Sequence, residues 1–291
     1  MNIQDYRRGK KVLVVTALNN TFLSILKIVV GYVTLSEALI ADGIHSFSDL
    51  STDIVVLVGL KYASLPPDKN HPYGHSKIEE MASLLVGLLL LLAASAILYR
   101  GGRNIYLHKI TSPSTLTIIC AAISLIVKEI LFRYTIHWAK IINSNSLALN
   151  AWHHRTDALS SLAVILSVGA GFINTKFYIF DLFTAVIIGV FIAKVGVEAI
   201  WASGCRLIDT SPPSHIQDKI ETAISLISQV QDSHKLKMRY FGDQILVDVH
   251  ILVAGDLTVR EGHKIASKVK YVIKEKVAVI SDVLVHLEPI D

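Results

Sequence analysis

The chain has 291 residues, is 52% hydrophobic and only 18% charged, and carries a formal net charge of +4. Its mean hydropathy of +0.50 excludes an ordinary soluble globule and implies several membrane spans. Two cysteines, Cys120 and Cys205, lie far apart in apolar surroundings, which excludes a disulfide framework and a CxxC metal site.

The basic N-terminus, MNIQDYRRGKKVLVV, leads into an apolar run with no small-residue cleavage site behind it, so it reads as a retained first span. Segments of mainly apolar residues long enough to cross a bilayer are predicted at 12–33, 38–62, 80–99, 113–136, 147–172 and 178–202. An even number of spans puts both termini on one side. Lysine and arginine mark that side as cytoplasmic. Arg7, Arg8, Lys10 and Lys11 lead the chain, Lys61, Lys69 and Lys77 follow the second span, and Arg133 and Lys140 close the fourth. The opposite loops hold Glu37 and Lys176, whereas Arg100, Arg103 and Lys109 after the third span run against the rule.

The pattern changes at Asp209. DTSPPSHIQDKIETAISLISQV opens with a breaker pair, followed by a capping-box signature at Ser214 and Gln217, with Ile216, Ile220, Ala223, Ile224 and Ile227 at helical spacing. KLKMRYF and QILVDVHILV, joined at Gly242-Asp243, read as a β-hairpin. A second box, Thr258 with Glu261, starts another helix, and SDVLVHLEP closes as a strand. The expected architecture is a membrane all-α domain of six helices over residues 1–208, then a cytoplasmic α+β domain over 209–291 with the order αββαβ, ferredoxin-like. A tail of this size has a modest core, and self-association suits it.

Ionisable groups at membrane depth cost roughly 2.5–3.5 kcal/mol each, so they face a cavity and have partners. ADGIHSFSDLSTD in the second span holds His45 and Asp49 four apart; the fifth span repeats the spacing with His153 and Asp157. Positions i and i+4 share a helix face, so each span offers an imidazole and a carboxylate together. One such pair is equally well a helix end reaching interfacial water. Two pairs in separate spans favour a shared ion, and two nitrogens with two carboxylates suit zinc. His154 and Arg155 point elsewhere, with Arg155 expected to snorkel or meet a phosphate or carboxylate. Asp42 is a candidate entry or supporting residue, while Asp53, Lys128, Glu129, Asp181, Lys194 and Glu198 read as structural pairs or boundary residues.

PPDKNHPYGHSKIEE places Asp68, His71 and His75 in a short loop, where a polar turn with incidental histidines is the simpler account by spacing alone. In the tail, His234 precedes the hairpin and His250 lies on the strand face opposite Val247, Val249 and Ile251. His286 and Glu288 share a face of the last strand, and His263 falls in the first turn of the second helix. Surface histidines without a metal would satisfy the same spacing.

LIADGIHSFSDL, HPYGHSKIE, AWHHRTDALSS and the αββαβ tail together resemble the cation diffusion facilitator family over nearly the whole chain, and within it the bacterial zinc and iron efflux branch. The resemblance implies a homodimer in a bacterial inner membrane that exchanges divalent metal for protons by alternating access, with no enzymatic activity and no nucleic-acid partner. It maps a transport site to His45, Asp49, His153 and Asp157 and a loop metal site to Asp68, His71 and His75. It maps a dimer-bridging tail site to His234, His250, His263, His286 and Glu288, and it implies a salt bridge from Lys77 to Asp209 that ties the membrane part to the tail. Some bacterial members carry Asp where His45 stands. The His-Asp/His-Asp set resembles the zinc-selective members, whereas manganese members favour Asn or Asp there; this favours zinc, or cadmium, over iron.

Metal binding needs neutral imidazole and ionised carboxylate, so binding releases protons. His45 and His153 are expected to carry protons as well as metal, with an ordinary imidazole pKa of about 6.5 suited to that exchange. The rivals are a transporter selective for cadmium, iron or manganese, a sensor that binds metal at the tail and moves none, and a membrane zinc hydrolase. The last lacks an HExxH motif.

Overall fold

A computed structural model describes residues 3–48, 62, 65–108, 112, 114–141, 145–242 and 244–290, with the side chains of all of these except 3–10, 145–150 and 153. The chain divides into two units, residues 1–55 with 85–199 and residues 56–84 with 200–291. Helices α1 (Ile3–Thr34), α2 (residues 37–48), α3 (Lys77–Tyr106), α4 (Thr115–Ile141), α5 (Asn145–Ile173) and α6 (Ile179–Leu207) come first in chain order. Among the described residues five stretches are long and apolar enough to cross a membrane: Lys11–Thr34, Lys77–Tyr106, Thr115–Ile141, His154–Ile173 and Thr175–Leu207. They correspond to five of the six predicted spans. The other, at 38–62, lies mostly outside the described residues.

The first unit buries polar side chains beside an apolar cluster that includes Leu39, Leu90, Val164 and Ile192, and it leaves many large apolar side chains exposed. Along α4 the buried positions are Thr117, Cys120, Ala121, Ser124, Lys128, Leu131, Thr135 and Ala139, a stripe of mostly small and polar residues repeating at three and four. Leu116, Ile119, Ile123, Ile126 and Ile130 point the other way and are exposed. Lipid is as apolar as leucine, so burying leucine gains little there. Small residues that let backbones approach, and polar groups that need partners, go inward instead. This stripe packs α4 against α5 and α1. Between α1 and α2 the fit is tight: a Cβ added at Gly43 would lie 2.7 Å from the Ile28 side chain.

The start of α2 is capped from two directions. The Ser36 hydroxyl accepts from the Leu39 backbone N–H at 3.2 Å and donates to Asp181 Oδ1 at 2.7 Å. The Glu37 backbone N–H donates to Asp181 Oδ2 at 2.9 Å. Asp181 therefore satisfies the open N–H groups of another helix and complements its dipole. Arg100, which ran against the charge rule, is paired with Glu37 at 2.9 Å.

In the second unit α7 (Ser214–Ser225), β1 (Asp232–Phe241), β2 (Gln244–Val253), α8 (Val259–Lys276) and β3 (Ile280–Pro289) give the expected αββαβ order. The sheet order is β1-β2-β3, with β1–β2 antiparallel and β2–β3 parallel. Phe241 pairs with Gln244, so the hairpin turns on two residues, and Gly242 takes the positive φ of 60° that the turn demands. The parallel partner needs a crossover, which α8 supplies. One sheet face and the two helices bury Ile220, Ile224, Val247, Val249, Ile251, Val269 and Ile273. The Thr258/Glu261 capping box is formed. The box expected at Ser214 is not: Pro213 holds the N-cap position, no side chain caps the helix, and Gln217 bonds Glu221 instead. The helix starts one residue earlier than that motif assumed, which places Ser214 inside its first turn.

Candidate metal centres

Within the first unit, α2 and α5 meet through polar side chains. Asp42 on α2 accepts from Ser160 at 2.5 Å and from Ser161 at 2.9 Å, both on α5. One turn further along α2, Ser46 shares the Lys128 ammonium with Asp157 of α5, at 3.1 and 3.0 Å. Residue numbers rise along α2 as they fall along α5, so the helices run antiparallel. This brings the half-buried His45 to the level of Asp157, which is 2% exposed. Asp49 lies outside the described residues, and so does the side chain of His153.

Two lysines complete this polar interior, and both are fully buried. Lys27 of α1 reaches Asp42 at 2.8 Å, Ser161 at 2.9 Å and Ser46 at 3.2 Å, which occupies all three of its ammonium protons. Lys128 is a structural pair, as expected, but its partner is Asp157 at 3.0 Å, one of the residues mapped to the transport site. Spacing alone does not single out Lys27, although a lone charge inside the span at 12–33 is by itself a signal. Asp42 is supporting in this arrangement, held by Lys27 and two serines. His154 turns toward α1, its Nδ1 3.5 Å from Asn20 Nδ2. Arg155 stacks its guanidinium on Phe132 and Trp152, at 4.9 and 5.3 Å from the ring centres, so aromatic faces provide for its charge. Glu129 and Lys194 form one-turn pairs with Arg133 and Glu198, while Asp53 lies outside the described residues.

In the second unit the loop residues Asp68, His71 and His75 converge, with one ligand atom from each within 4.8 Å of the others. Asp68 Oδ1 accepts from the Asn70 and His71 backbone N–H groups at 2.8 and 2.6 Å. Nδ1 of His71 lies 3.1 Å from Asp68 and Nε2 of His75 lies 3.4 Å from it. The His71 backbone hydrogen bond, with that of Asn70, holds the Asp68 carboxyl below its ordinary range and keeps it ionised.

The tail cluster is built by strand register. His234 pairs across the ladder with His250, and His250 with His286, so three imidazoles form one row on the face opposite the core. Glu288, two residues along β3, reaches His250 Nδ1 at 2.7 Å, His234 Nε2 at 2.9 Å and His286 Nε2 at 3.8 Å. The His250 hydrogen bond, aided by Lys235 and His234, pulls the Glu288 carboxyl below its usual value. His234, His250 and Glu288 meet metal-site spacing; His263 stands apart on α8, lining a surface groove together with Glu288. The Lys77–Asp209 pair is present at 2.8 Å, and Arg239 approaches the same carboxylate at 3.5 Å.

Residues 13–208 match the cation efflux transmembrane domain, and residues 212–290 match the cytoplasmic domain of cation efflux proteins. The chain belongs to the cation efflux family. An uncharacterised transporter of Methanocaldococcus jannaschii is 34% identical over 287 residues, covering 98% of this chain and 100% of that protein. The manganese efflux system protein MneS of Bacillus subtilis is 31% identical over 289 residues, 99% of this chain and 98% of that protein. Magnetosome protein MamB of Magnetospira sp. is 30% identical over 262 residues, 90% of this chain and 89% of that protein. The cation efflux motifs read from the sequence thus sit in a multi-pass membrane transporter of divalent metal cations.

Proposed function

We propose that this cation efflux protein exports a divalent metal ion, zinc foremost, from the cytoplasm in exchange for protons. It works as a homodimer in a bacterial inner membrane with both termini cytoplasmic. Residues 1–208 form the transport domain and residues 209–291 the metal-binding and dimerisation domain. The carrying observation is the antiparallel meeting of α2 and α5, which brings His45 level with a buried Asp157. Asp49 and His153 join the set by their four-residue spacing from those two. Imidazole and carboxylate in equal number favour zinc, whereas manganese prefers oxygen ligands in octahedral array. Protons compete for the same donor atoms, which couples metal release to proton uptake. Asp68, His71 and His75, and the tail set of His234, His250, His263, His286 and Glu288, are read as metal sites outside the membrane.

Manganese is the second reading, favoured by the likeness to MneS. Proteoliposomes loaded with an indicator and given zinc, cadmium, manganese or iron under a fixed pH gradient separate the two. Zinc uptake with counter-movement of protons, lost in Asp49→Ala and in Asp157→Ala, is the expected result. Transport of none of the four ions, or antiport unchanged in both variants, overturns the reading.

A further inference from the structure

The buried lysines do something that the metal-site reading leaves unexplained. Lys27 is anchored: its three protons go to Asp42, Ser46 and Ser161. Lys128 has a different position. It reaches across from α4 to Ser46 and to Asp157, and Asp157 is a carboxylate that the transport site needs. A zinc ion bound to Asp157 sits about 2.0–2.2 Å from a carboxylate oxygen. The Lys128 ammonium is already 3.0 Å from Oδ2. A dication and an ammonium on one carboxylate, in an interior where neither charge is screened by water, repel strongly. Among the described residues, a neighbouring carboxylate that could receive a displaced Lys128 is Asp42, and Lys27 already holds it.

We propose that Lys128 is a resident counter-cation of the transport site, alternating with the metal ion on Asp157. This rests on the transport site proposed above. With the site empty, Lys128 neutralises Asp157, so the unloaded protein does not hold a bare carboxylate among its membrane helices. When metal arrives, the ammonium is displaced from Asp157 and keeps its hold on Ser46. Its return then helps to expel the ion. The lysine acts by position, on Asp157 in one state and on Ser46 alone in the other. It therefore sets metal affinity at a level from which the ion can leave, and it weakens binding of any cation that cannot displace an ammonium.

The test measures zinc and manganese affinity of the full-length protein in detergent, by competition with a chromophoric chelator, alongside transport in proteoliposomes. Lys128→Met is expected to bind zinc at least about tenfold more tightly than wild type while its maximal transport rate falls. Lys128→Arg, which keeps the charge, is expected to hold affinity near the wild-type value. Zinc affinity of Lys128→Met within about twofold of wild type, in a protein that transports normally, overturns the role of the lysine and leaves the transport site standing. A wild type that neither binds nor moves either ion removes both. Should Lys128→Met not fold, cryo-electron microscopy of wild type with and without zinc decides. Lys128 Nζ beyond about 3.5 Å from Asp157 in the zinc-loaded state supports the proposal; an intact pair beside bound zinc overturns it.

Discussion

Lys77, the first residue of α3, and Asp209, two residues past the end of α6, are joined at 2.8 Å with both side chains about two-fifths exposed, at 42% and 41%. The Lys77 hydrogen bond, reinforced by Arg239, holds the Asp209 carboxyl below its ordinary value. At that exposure solvent screens the pair, so Lys77→Ala is expected to lower stability by no more than about 1 kcal/mol. Because the folded carboxyl titrates lower than the unfolded one, its contribution is fully present above the ordinary value of about 3.9 and is lost as pH falls through the lower folded value. Denaturation of wild type and Asp209→Ala across pH should show a constant gap near neutrality that closes in acid. A gap that widens in acid contradicts the assignment.

The tail cluster gives a prediction about metal removal. A metal that binds the folded protein stabilises it in proportion to the logarithm of its free concentration. The melting midpoint of the full-length protein should climb with added zinc and drop on chelation. Glu288→Ala together with His250→Ala should weaken that dependence while leaving the metal-free midpoint within a few degrees. Imidazoles bind metal only when neutral, so the zinc-dependent rise should shrink as pH is lowered. Differential scanning fluorimetry at fixed free zinc measures it.

Two capping motifs that look alike in sequence behave differently in structure, and substitution should expose the difference. Thr258 Oγ1 accepts from the Glu261 backbone N–H at 3.3 Å, and the Glu261 carboxylate accepts from the Thr258 N–H at 2.9 Å. Thr258→Ala is therefore expected to cost about 1 kcal/mol. Ser214 makes no cap bond, so Ser214→Ala should stay within about 0.5 kcal/mol of wild type. Equilibrium unfolding followed by tail-domain circular dichroism compares them.

That contrast shows what kind of information the sequence carries. Alternation in QILVDVHILV placed Val247, Val249 and Ile251 in the core and His250 on the other face, because a strand has a period of two whatever its neighbours do. The row His234–His250–His286 was not legible in the same way. It depends on hairpin register and on a parallel partner delivered by α8, which no single strand specifies. In the membrane, four-residue spacing proposes donor faces on single helices. Spacing does not say which helices meet, so it marks Lys128 as a pairing residue without naming Asp157 and gives no partner for Lys27. Ser214 failed for a local reason: the S-x-x-Q pattern is short, and the preceding prolines moved the helix start.

The Lys27–Asp42 pair, both side chains fully buried at 2.8 Å, is a coupled unit and should behave as one. Lys27→Met leaves Asp42 charged among Ser160 and Ser161 without its cation, and Asp42→Asn leaves the ammonium without its anion. Each single change is expected to cost about 3–5 kcal/mol, because an uncompensated charge stays behind in a dry interior. The double variant removes both charges and keeps an amide able to meet the two serine hydroxyls, so it should recover much of that loss. Unfolding in mixed micelles, arranged as a double-mutant cycle, reads the coupling directly. If the double variant loses the sum of the two singles, the lysine and the aspartate stabilise the bundle independently, and the buried pair is not what holds α1 to α2.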